Sequence, residues 1–181
     1  MHDRMGGRFL QHSRADGLWR LHTVEDTFDT ASTRGWTSNV GATLRTDTCG
    51  ALGVILGGYG RLGQGAWLQK SFDLTGQSHR YVNVELTFVK IDTWDGEEGQ
   101  VYVDNNLVWS QDFEVSSGEQ HCGGGHDWHE DAVAVGPLRV SHSTNAVTLK
   151  VTTTLDQTAD DESFGIRDVL IEVECGTSVG R

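Results

Sequence analysis

Residues 80–91 read Arg-Tyr-Val-Asn-Val-Glu-Leu-Thr-Phe-Val-Lys-Ile and alternate apolar with polar side chains more clearly than any other stretch of the chain. Apolar side chains occupy every second position and polar ones the positions between: Val82, Val84, Leu86 and Phe88 against Asn83, Glu85 and Thr87. Successive side chains of a β-strand point to opposite faces of its sheet. The stretch therefore predicts a strand with one face in an apolar core and the other in water.

Alternation returns in shorter stretches on both sides of this strand, at residues 66–72, 147–155 and 166–173. Residues 100–103 and 107–110 flank Asp104-Asn105-Asn106, a sequence that tolerates left-handed backbone and so predicts a hairpin. No helical periodicity exceeds a turn or two, and 23 Gly with 1 Pro suit frequent tight turns. The sequence predicts an all-β fold, an antiparallel β-sandwich of the jelly-roll type.

The length of 181 residues fits one domain with a sizeable core. We expect the β-sandwich to span residues 24–175, after a weakly ordered tail at 1–23 and before a short tail at 176–181. Residues 1–21 carry charges and histidines without an apolar central stretch, so they do not resemble a secretory signal. No run of about 18 apolar residues occurs, and a membrane-spanning helix is therefore not predicted.

The chain is strongly acidic, with a formal net charge of -12 and a sequence pI near 4.9. Nucleic acids and anionic membrane surfaces are bound by basic faces, so neither is an expected partner. Bound divalent cations would relieve the self-repulsion of so acidic a chain. Acidic side chains are concentrated in two stretches, one at residues 92–98 and one that contains Asp156, Asp160, Asp161 and Glu162.

The first acidic stretch follows the long strand and reads Ile-Asp-Thr-Trp-Asp-Gly-Glu-Glu over residues 91–98. Side-chain oxygens of Asp92, Asp95 and Glu97, with backbone carbonyls of the turn, are the hard donors that Ca²⁺ prefers. Carboxylates this close repel one another unless a cation lies among them. The alternative is a solvated acidic turn, but Trp94 between the charges favours an ordered site. We therefore predict a calcium site in this turn.

Three cysteines, Cys49, Cys122 and Cys175, leave one thiol over whichever two pair. Cys49 and Cys122 both precede glycine in Gly-rich loops, and loop cysteines of extracellular β domains commonly pair, so we expect these two to form a disulfide. The alternative is three reduced thiols in a cytosolic protein. Cys175, beyond the last strand, would then be free or joined to another chain.

Residues 121–129 read His-Cys-Gly-Gly-Gly-His-Asp-Trp-His, and their imidazoles and thiol are ligand types that suit Zn²⁺. Three consecutive glycines make a flexible loop, however, and a disulfide at Cys122 would remove its thiolate. We favour a surface loop that borders a binding face, in which Trp128 contacts a ligand and Asp127 offers a further calcium ligand. Tyr59, in another Gly-rich loop, is the second aromatic candidate for ligand contact.

Two other tryptophans, Trp67 and Trp109, lie in strand patterns and are expected in the core. Glycoside hydrolysis would need two carboxylates across a cleft, and Asp92 with Glu97 or Glu162 would have to supply them, but metal binding would occupy those groups. The chain has no His-Glu-x-x-His helix and no phosphate loop, and its Gly-x-Ser-x-Gly match at residues 176–180 falls in the expected tail and not in a strand-to-helix elbow. We therefore expect a binding protein and not an enzyme.

Five segments of the chain follow one another in a familiar order. They are Gly57-Gly58-Tyr59-Gly60, Lys70-Ser71-Phe72-Asp73-Leu74, the turn at 91–97, residues 101–109, and Glu162-Ser163-Phe164-Gly165-Ile166-Arg167. Over residues 28–174 the chain resembles the calcium-dependent β-sandwich modules of bacterial surface adhesins and of secreted or surface proteins of ciliates and other protists. In those modules the turn usually reads Asp-Ser-Trp-Asp-Gly-Glu and the late segment Glu-Ser-Trp-Gly-Ile, whereas this chain has Thr93 for the Ser and Phe164 for the Trp.

The resemblance implies an extracellular or cell-surface, lectin-like module that folds around several Ca²⁺ ions and recognises a glycan or a peptide ligand in adhesion. The implied calcium ligands are Asp92, Asp95, Glu97, Asp161 and Glu162. A disulfide between Cys49 and Cys122 also fits the protist members. The alternative function is a structural module of a surface coat or extracellular assembly, in which calcium only stabilises the fold and the partners are neighbouring chains.

Overall fold

The computed structural model describes residues 12–13, 19–41, 44–125 and 127–174. These residues form twelve strands, with a short 3-10 turn at Gly50–Leu52. The strands are β1 (His12–Ser13), β2 (Trp19–Asp26), β3 (Thr37–Ser38), β4 (Thr46–Thr48), β5 (Val54–Gly57), β6 (Trp67–Asp73), β7 (Tyr81–Asp92), β8 (Glu98–Val103), β9 (Asn106–Asp112), β10 (Asp131–Ser141), β11 (Ala146–Thr153) and β12 (Glu162–Glu174). Within this described part of the chain, no helix is long and apolar enough to cross a membrane.

β12 is the central strand of a seven-stranded sheet. It pairs with β7 on one side, and with β2 and β5 on the other. β10 pairs with the far side of β7, while β4 and β1 lie beyond β5 and β2. The second sheet has five strands in the order β3-β6-β11-β8-β9, and every pair in both sheets is antiparallel. The predicted all-β fold, an antiparallel β-sandwich of the jelly-roll type, is confirmed.

The core lies between the two sheets and uses the apolar face predicted for residues 80–91. This stretch forms β7, and its four predicted inward side chains are all buried. The ring of Phe88 lies 5.9 Å from the ring of Trp94, 5.6 Å from Phe113 and 5.8 Å from Phe164, measured between centroids. Because Trp94 belongs to the acidic turn, these contacts attach that turn to the core.

The other predicted strands are present with small shifts at their ends. Residues 66–72 correspond to β6, 147–155 to β11 and 166–173 to β12. The predicted hairpin is formed by β8 and β9, and Asp104 and Asn105 take positive φ values of 48° and 66° between them. Short polar residues tolerate this left-handed backbone, which is why the sequence revealed the turn.

Strand β10 was not predicted, although its 11 residues make it the third longest of the described strands, and it pairs with β7 in the seven-stranded sheet. Its alternation is interrupted at Gly136–Pro137, where the pairing with β7 shifts between Val135 and Leu138. β10 pairs only with β7 among the described strands of this sheet, and a proline is tolerated on such an edge because its missing N–H breaks no ladder.

Strand β2 begins at Trp19 and pairs with β12, so the sheet starts before residue 24, the expected beginning of the domain. Cys175 and the expected tail at 176–181 lie outside the described residues. The predicted role of Cys175, free or joined to another chain, therefore stays a prediction.

Candidate functional site

Three carboxylates converge at the acidic turn between β7 and β8. Asp95 and Glu97 belong to the turn, and Glu162 is the first residue of β12. One carboxylate oxygen of each lies within 4.8 Å of the other two. Glu162 is fully buried, and its Oε2 has no hydrogen-bond partner in the described part of the chain. Because an unpartnered buried carboxylate oxygen is costly, this cluster has the oxygen-rich and unsatisfied character of a site for a hard cation.

Burial and mutual repulsion raise the pKa values of this cluster. Burial first, and then neighbouring carboxylates of which Glu97 is the foremost, raise the pKa of Glu162 to about 7. Burial also raises the pKa of Glu97, although its Oε2 accepts a hydrogen bond from the Asp95 amide at 2.7 Å. A raised carboxyl pKa means that the charged form is disfavoured, and a cation among the carboxylates would reverse that preference.

Neutral residues of the turn hold it against the start of β12. Trp94 is fully buried, and its indole N–H donates to the carbonyl of Ser163 at 3.0 Å. The Thr93 hydroxyl lies 2.9 Å from both the carbonyl and a carboxylate oxygen of Asp161 and donates to them. These bonds bring Glu162 beside the turn. They also use Asp161 as an acceptor for Thr93, outside the cluster of three.

Asp92 turns away from the acidic-turn cluster. Its φ of 67° is left-handed, and its carboxylate accepts the Gly124 N–H at 2.9 and 3.1 Å. The side chain is fully buried, and burial with the charge of Glu130 raises its pKa to about 6. The structure thus divides the five predicted calcium ligands. Asp95, Glu97 and Glu162 share one cluster, whereas Asp92 and Asp161 lie outside it.

Cys49 and Cys122 form a disulfide across 73 residues of sequence. It joins the residue before the 3-10 turn to the Gly-rich loop that precedes β10. Cys49 is fully buried in a second apolar cluster with Ile55, Val89 and Ile91. The loop is therefore fixed to the face of the seven-stranded sheet that points away from the main core.

The predicted ligand-contacting residues lie around this loop. The Tyr59 hydroxyl donates to the carbonyl of Asp160 at 3.1 Å and lies against Gly124. The partly exposed indole of Trp128 lies against the backbone of Gly125, and Asp127 is exposed. Tyr59 and Trp128 thus flank one loop, and their roles in ligand binding stay predictions.

The zinc alternative loses its sulfur ligand, because Cys122 is in the disulfide. His126 lies outside the described residues. The imidazole of His129 is 3.4 Å from the carbonyl of Ser116 through Nδ1. The described part of the loop therefore offers a poorer ligand set for Zn²⁺ than its sequence indicated.

A different group of side chains lies on the outer face of the five-stranded sheet. Lys150 on β11 is the register partner of Gln69 on β6 and of Tyr102 on β8. Its amino group lies 6.0 Å from the ring centroid of Trp67 and 5.9 Å from that of Tyr102. Both distances are within the cation–π range, so Lys150 stands between two aromatic rings. All three side chains are partly exposed, and we call this surface the open face.

Polar groups of β8 extend the open face. The Tyr102 hydroxyl donates to the side-chain oxygen of Gln100 at 3.0 Å, and the Gln100 amide donates to Glu98 at 3.1 Å. Leu107 lies opposite Tyr102 and is 50% exposed. Lys150 is not among the ion pairs of the described residues. The open face therefore combines aromatic rings, an oriented amide, a carboxylate and an ammonium group without a paired anion.

The sequence placed Trp67 in the core, and this was wrong. In β6 the buried positions are Leu68 and Phe72, so strand alternation directs Trp67 outward. Trp109 does pack against the core, with its ring 5.7 Å from Phe88. The sequence did contain a signal for the open face. In both β6 and β8, the positions that alternate with the buried ones hold an aromatic and an amide side chain: Trp67 with Gln69, and Tyr102 with Gln100.

No protein-family model and no curated protein matches the chain. Solved structures do match. Dimeric latent PorU of Porphyromonas gingivalis aligns with 97% of this chain and 14% of its own length, at 12% identity and a TM-score of 0.50. The N-terminal CBM22-1–CBM22-2 tandem domain of Paenibacillus barcinonensis Xyn10C aligns with 87% of this chain and 47% of its own, at 14% identity and a TM-score of 0.50. Identities this low establish a likeness of fold alone, and the chain spans less than half the length of either structure.

Proposed function

We propose that this chain is an extracellular or cell-surface glycan-binding module whose β-sandwich is stabilised by Ca²⁺ at the acidic turn. The observation that carries glycan binding is the open face, where Lys150 lies between the rings of Trp67 and Tyr102. The role is binding and not catalysis. If the bound glycan is carried by another cell or surface, binding to it produces adhesion.

The chemistry of the open face suits a sugar ring. Flat aromatic side chains cover the C–H faces of a pyranose, while nearby polar groups fix its hydroxyls. Gln100 is oriented by its bonds to Tyr102 and Glu98, so little side-chain freedom is lost when a hydroxyl binds to it. The ammonium of Lys150 adds donors that no carboxylate of the described residues neutralises.

The likeness to the Xyn10C tandem supports the same ligand class. By its designation, that domain consists of two carbohydrate-binding modules. The likeness supports a glycan ligand only because the two proteins share an architecture. It does not identify any binding residue of this chain. No observation on the described residues favours a peptide ligand or a purely structural role.

Calcium is the cation that best fits Asp95, Glu97 and Glu162. All three donors are hard oxygens, whereas Zn²⁺ prefers nitrogen and sulfur. The fit rests on the buried Glu162 Oε2, which has no hydrogen-bond partner among the residues that the structure describes. Bound Ca²⁺ would supply the charge that keeps these carboxylates ionised and would join the turn to the start of β12. The Cys49–Cys122 disulfide supports the extracellular placement, because disulfides persist in oxidising compartments.

Binding of the purified chain to a glycan array in millimolar calcium tests the proposal. Trp67→Ala should abolish the array signal, because it removes one of the two aromatic rings of the open face that would cover a sugar ring. Trp128→Ala is the matched control, since it removes the partly exposed indole of the disulfide-bonded loop. Thermal unfolding checks that both variants fold. Loss of binding in Trp128→Ala alone would move the site to the loop, and an array without any hit would refute glycan binding.

A further inference from the structure

Lys150 supplies a positive charge in the middle of the open face. The five strands of this sheet contain two lysines, Lys70 and Lys150, and no arginine. The Lys70 ammonium lies 2.6 Å from the carboxylate of Asp26. Lys150 is not among the ion pairs of the described residues. An ammonium without a paired anion, on a surface that binds a ligand, offers its charge to that ligand.

The neighbours of Lys150 leave a low place beside its ammonium. Thr152 is the next outward residue of β11 and lies opposite Trp67 on β6 and Gln100 on β8. Its hydroxyl donates to the carbonyl of Ala66 at 2.8 Å, so this short side chain is held down against the sheet. Residues that are opposite or diagonal across paired strands lie side by side on one face. A ligand group above Thr152 therefore meets Trp67, Gln100 and Lys150.

Acidic side chains lie at the two ends of the open face. Glu98 on β8 is four residues from Tyr102, the register partner of Lys150, which is about 13 Å along a strand. Asp73 on β6 is four residues beyond Gln69, the other register partner, in the opposite direction. At such distances exposed charges are largely screened from one another. These carboxylates therefore do not neutralise Lys150, but each repels an anion that binds at its own end.

Asp104 is closer to Lys150 along β8, but its carboxylate has other contacts. Its Oδ1 accepts the Thr148 N–H at 2.8 Å, and its Oδ2 lies 3.3 Å from Nε2 of His142. The described ion pair of Asp104 is this one with His142, and not one with Lys150. The charge of Lys150 therefore stays available to a ligand.

We infer that the open face recognises a glycan with one acidic sugar, whose carboxylate or sulfate ester binds Lys150 above Thr152. The inference rests on the proposed function, because it specifies the class of glycan that the same face binds. The ammonium has only donors and the anion only acceptors, so the two groups match. Trp67 covers the ring of the same sugar. The sugars on either side are neutral, because they extend towards Glu98 and Asp73 on a chain of net charge -12.

Oligosaccharides arrayed in matched pairs test the class of ligand. One set pairs glycans that contain a uronic acid with the same glycans after carboxyl reduction, and the other pairs sulfated glycans with their desulfated forms. Isothermal titration of the hits should show about 5- to 10-fold tighter binding of the acidic member, between an exposed ion pair and a fully desolvated charged hydrogen bond. The set that shows the preference identifies the anion as carboxylate or sulfate. Glycans with consecutive acidic sugars should bind more weakly than those with one.

Substitutions of Lys150 separate its charge from its bulk. Lys150→Met keeps an apolar stem and removes the ammonium, so it should bind both members of a pair equally. Lys150→Arg keeps the charge and should keep the preference. Arg45→Met is the matched control, because it removes one positive charge at an exposed residue before β4, in the seven-stranded sheet, and should leave the preference unchanged. Thermal unfolding checks that each variant folds.

The outcomes distinguish this inference from the proposed function on which it rests. Equal binding of acidic and neutral members by the wild type overturns the inference and leaves glycan binding intact. A preference that survives in Lys150→Met, or that falls as much in Arg45→Met, also overturns it, because the preference then comes from another site or from overall charge. Tightest binding to consecutive acidic sugars overturns the single-acid specificity. Binding to no glycan refutes the proposed function and the inference together.

Discussion

Replacing Glu162 by glutamine should change the stability of the fold in opposite directions with and without calcium. Glu162→Gln keeps the shape of the side chain and removes its charge. In chelator the buried carboxylate faces other acids and has an oxygen without a donor, so the neutral side chain relieves repulsion and raises stability. In calcium the same change removes a charged ligand, so stability falls.

The magnitudes follow from the pKa of Glu162 and from calcium linkage. The pKa rises from 4.5 to about 7 in the folded chain, and at about 1.36 kcal/mol for each unit the charged form costs at most about 3 kcal/mol. Because Asp95 in the same cluster is exposed, water screens this repulsion, and we expect the variant to gain about 1 kcal/mol in chelator. Calcium at ten to one hundred times its dissociation constant stabilises the wild type by about 1.4 to 2.7 kcal/mol, most of which the variant loses.

Urea unfolding at slightly alkaline pH measures both effects. Wild type and Glu162→Gln are compared in millimolar calcium and in excess chelator, and the free energy of unfolding is extrapolated to water. Glu114→Gln is the control, because it removes the same charge at an exposed position and should change stability by less than about 0.5 kcal/mol. Equal destabilisation of Glu162→Gln in both buffers would refute the reasoning, since it would show a packing role that no cation influences.

Three further predictions concern pH, the open face and the core. In chelator, the wild type should lose stability relative to Glu162→Gln as pH rises from about 4.5 to about 7, because the folded chain holds the Glu162 proton more tightly than the unfolded chain; urea unfolding across that range measures it, and a relative gain would contradict it. Tyr102→Phe removes the hydroxyl that orients Gln100, so glycan affinity should fall about 3- to 10-fold, the value of roughly one hydrogen bond, in isothermal titration. Phe88→Ala should lower the free energy of unfolding by about 3 to 5 kcal/mol, because its ring contacts four other aromatic rings of the core; a loss below about 1 kcal/mol would show that the site collapses around the cavity.

The sequence predicted the elements whose signal is local. Alternation over residues 80–91 was enough to identify β7, its buried face and the fold class. In a half-buried strand, the polarity of each residue indicates whether its side chain faces the core or the solvent. The acidic turn was equally visible, since its carboxylates are neighbours in sequence. Glu130 gave no such signal. It lies near Asp92 because β10 pairs with β7 in a register that places Asp131 opposite Lys90. The register between two strands that are distant in sequence cannot be predicted from the sequence of either strand alone.

The separation of Asp92 from the acidic-turn cluster has one backbone cause. Asp92 and Glu162 are directly opposed in the pairing of β7 with β12, and opposed residues of an antiparallel pair normally share a face of the sheet. Regular strand backbone would therefore place both carboxylates together. The left-handed φ of 67° at Asp92 ends β7 and directs its side chain to the Gly124 amide instead. Aspartate tolerates that conformation better than most residues do, so the residue that looked like the first ligand of the acidic turn packs against the Gly-rich loop instead.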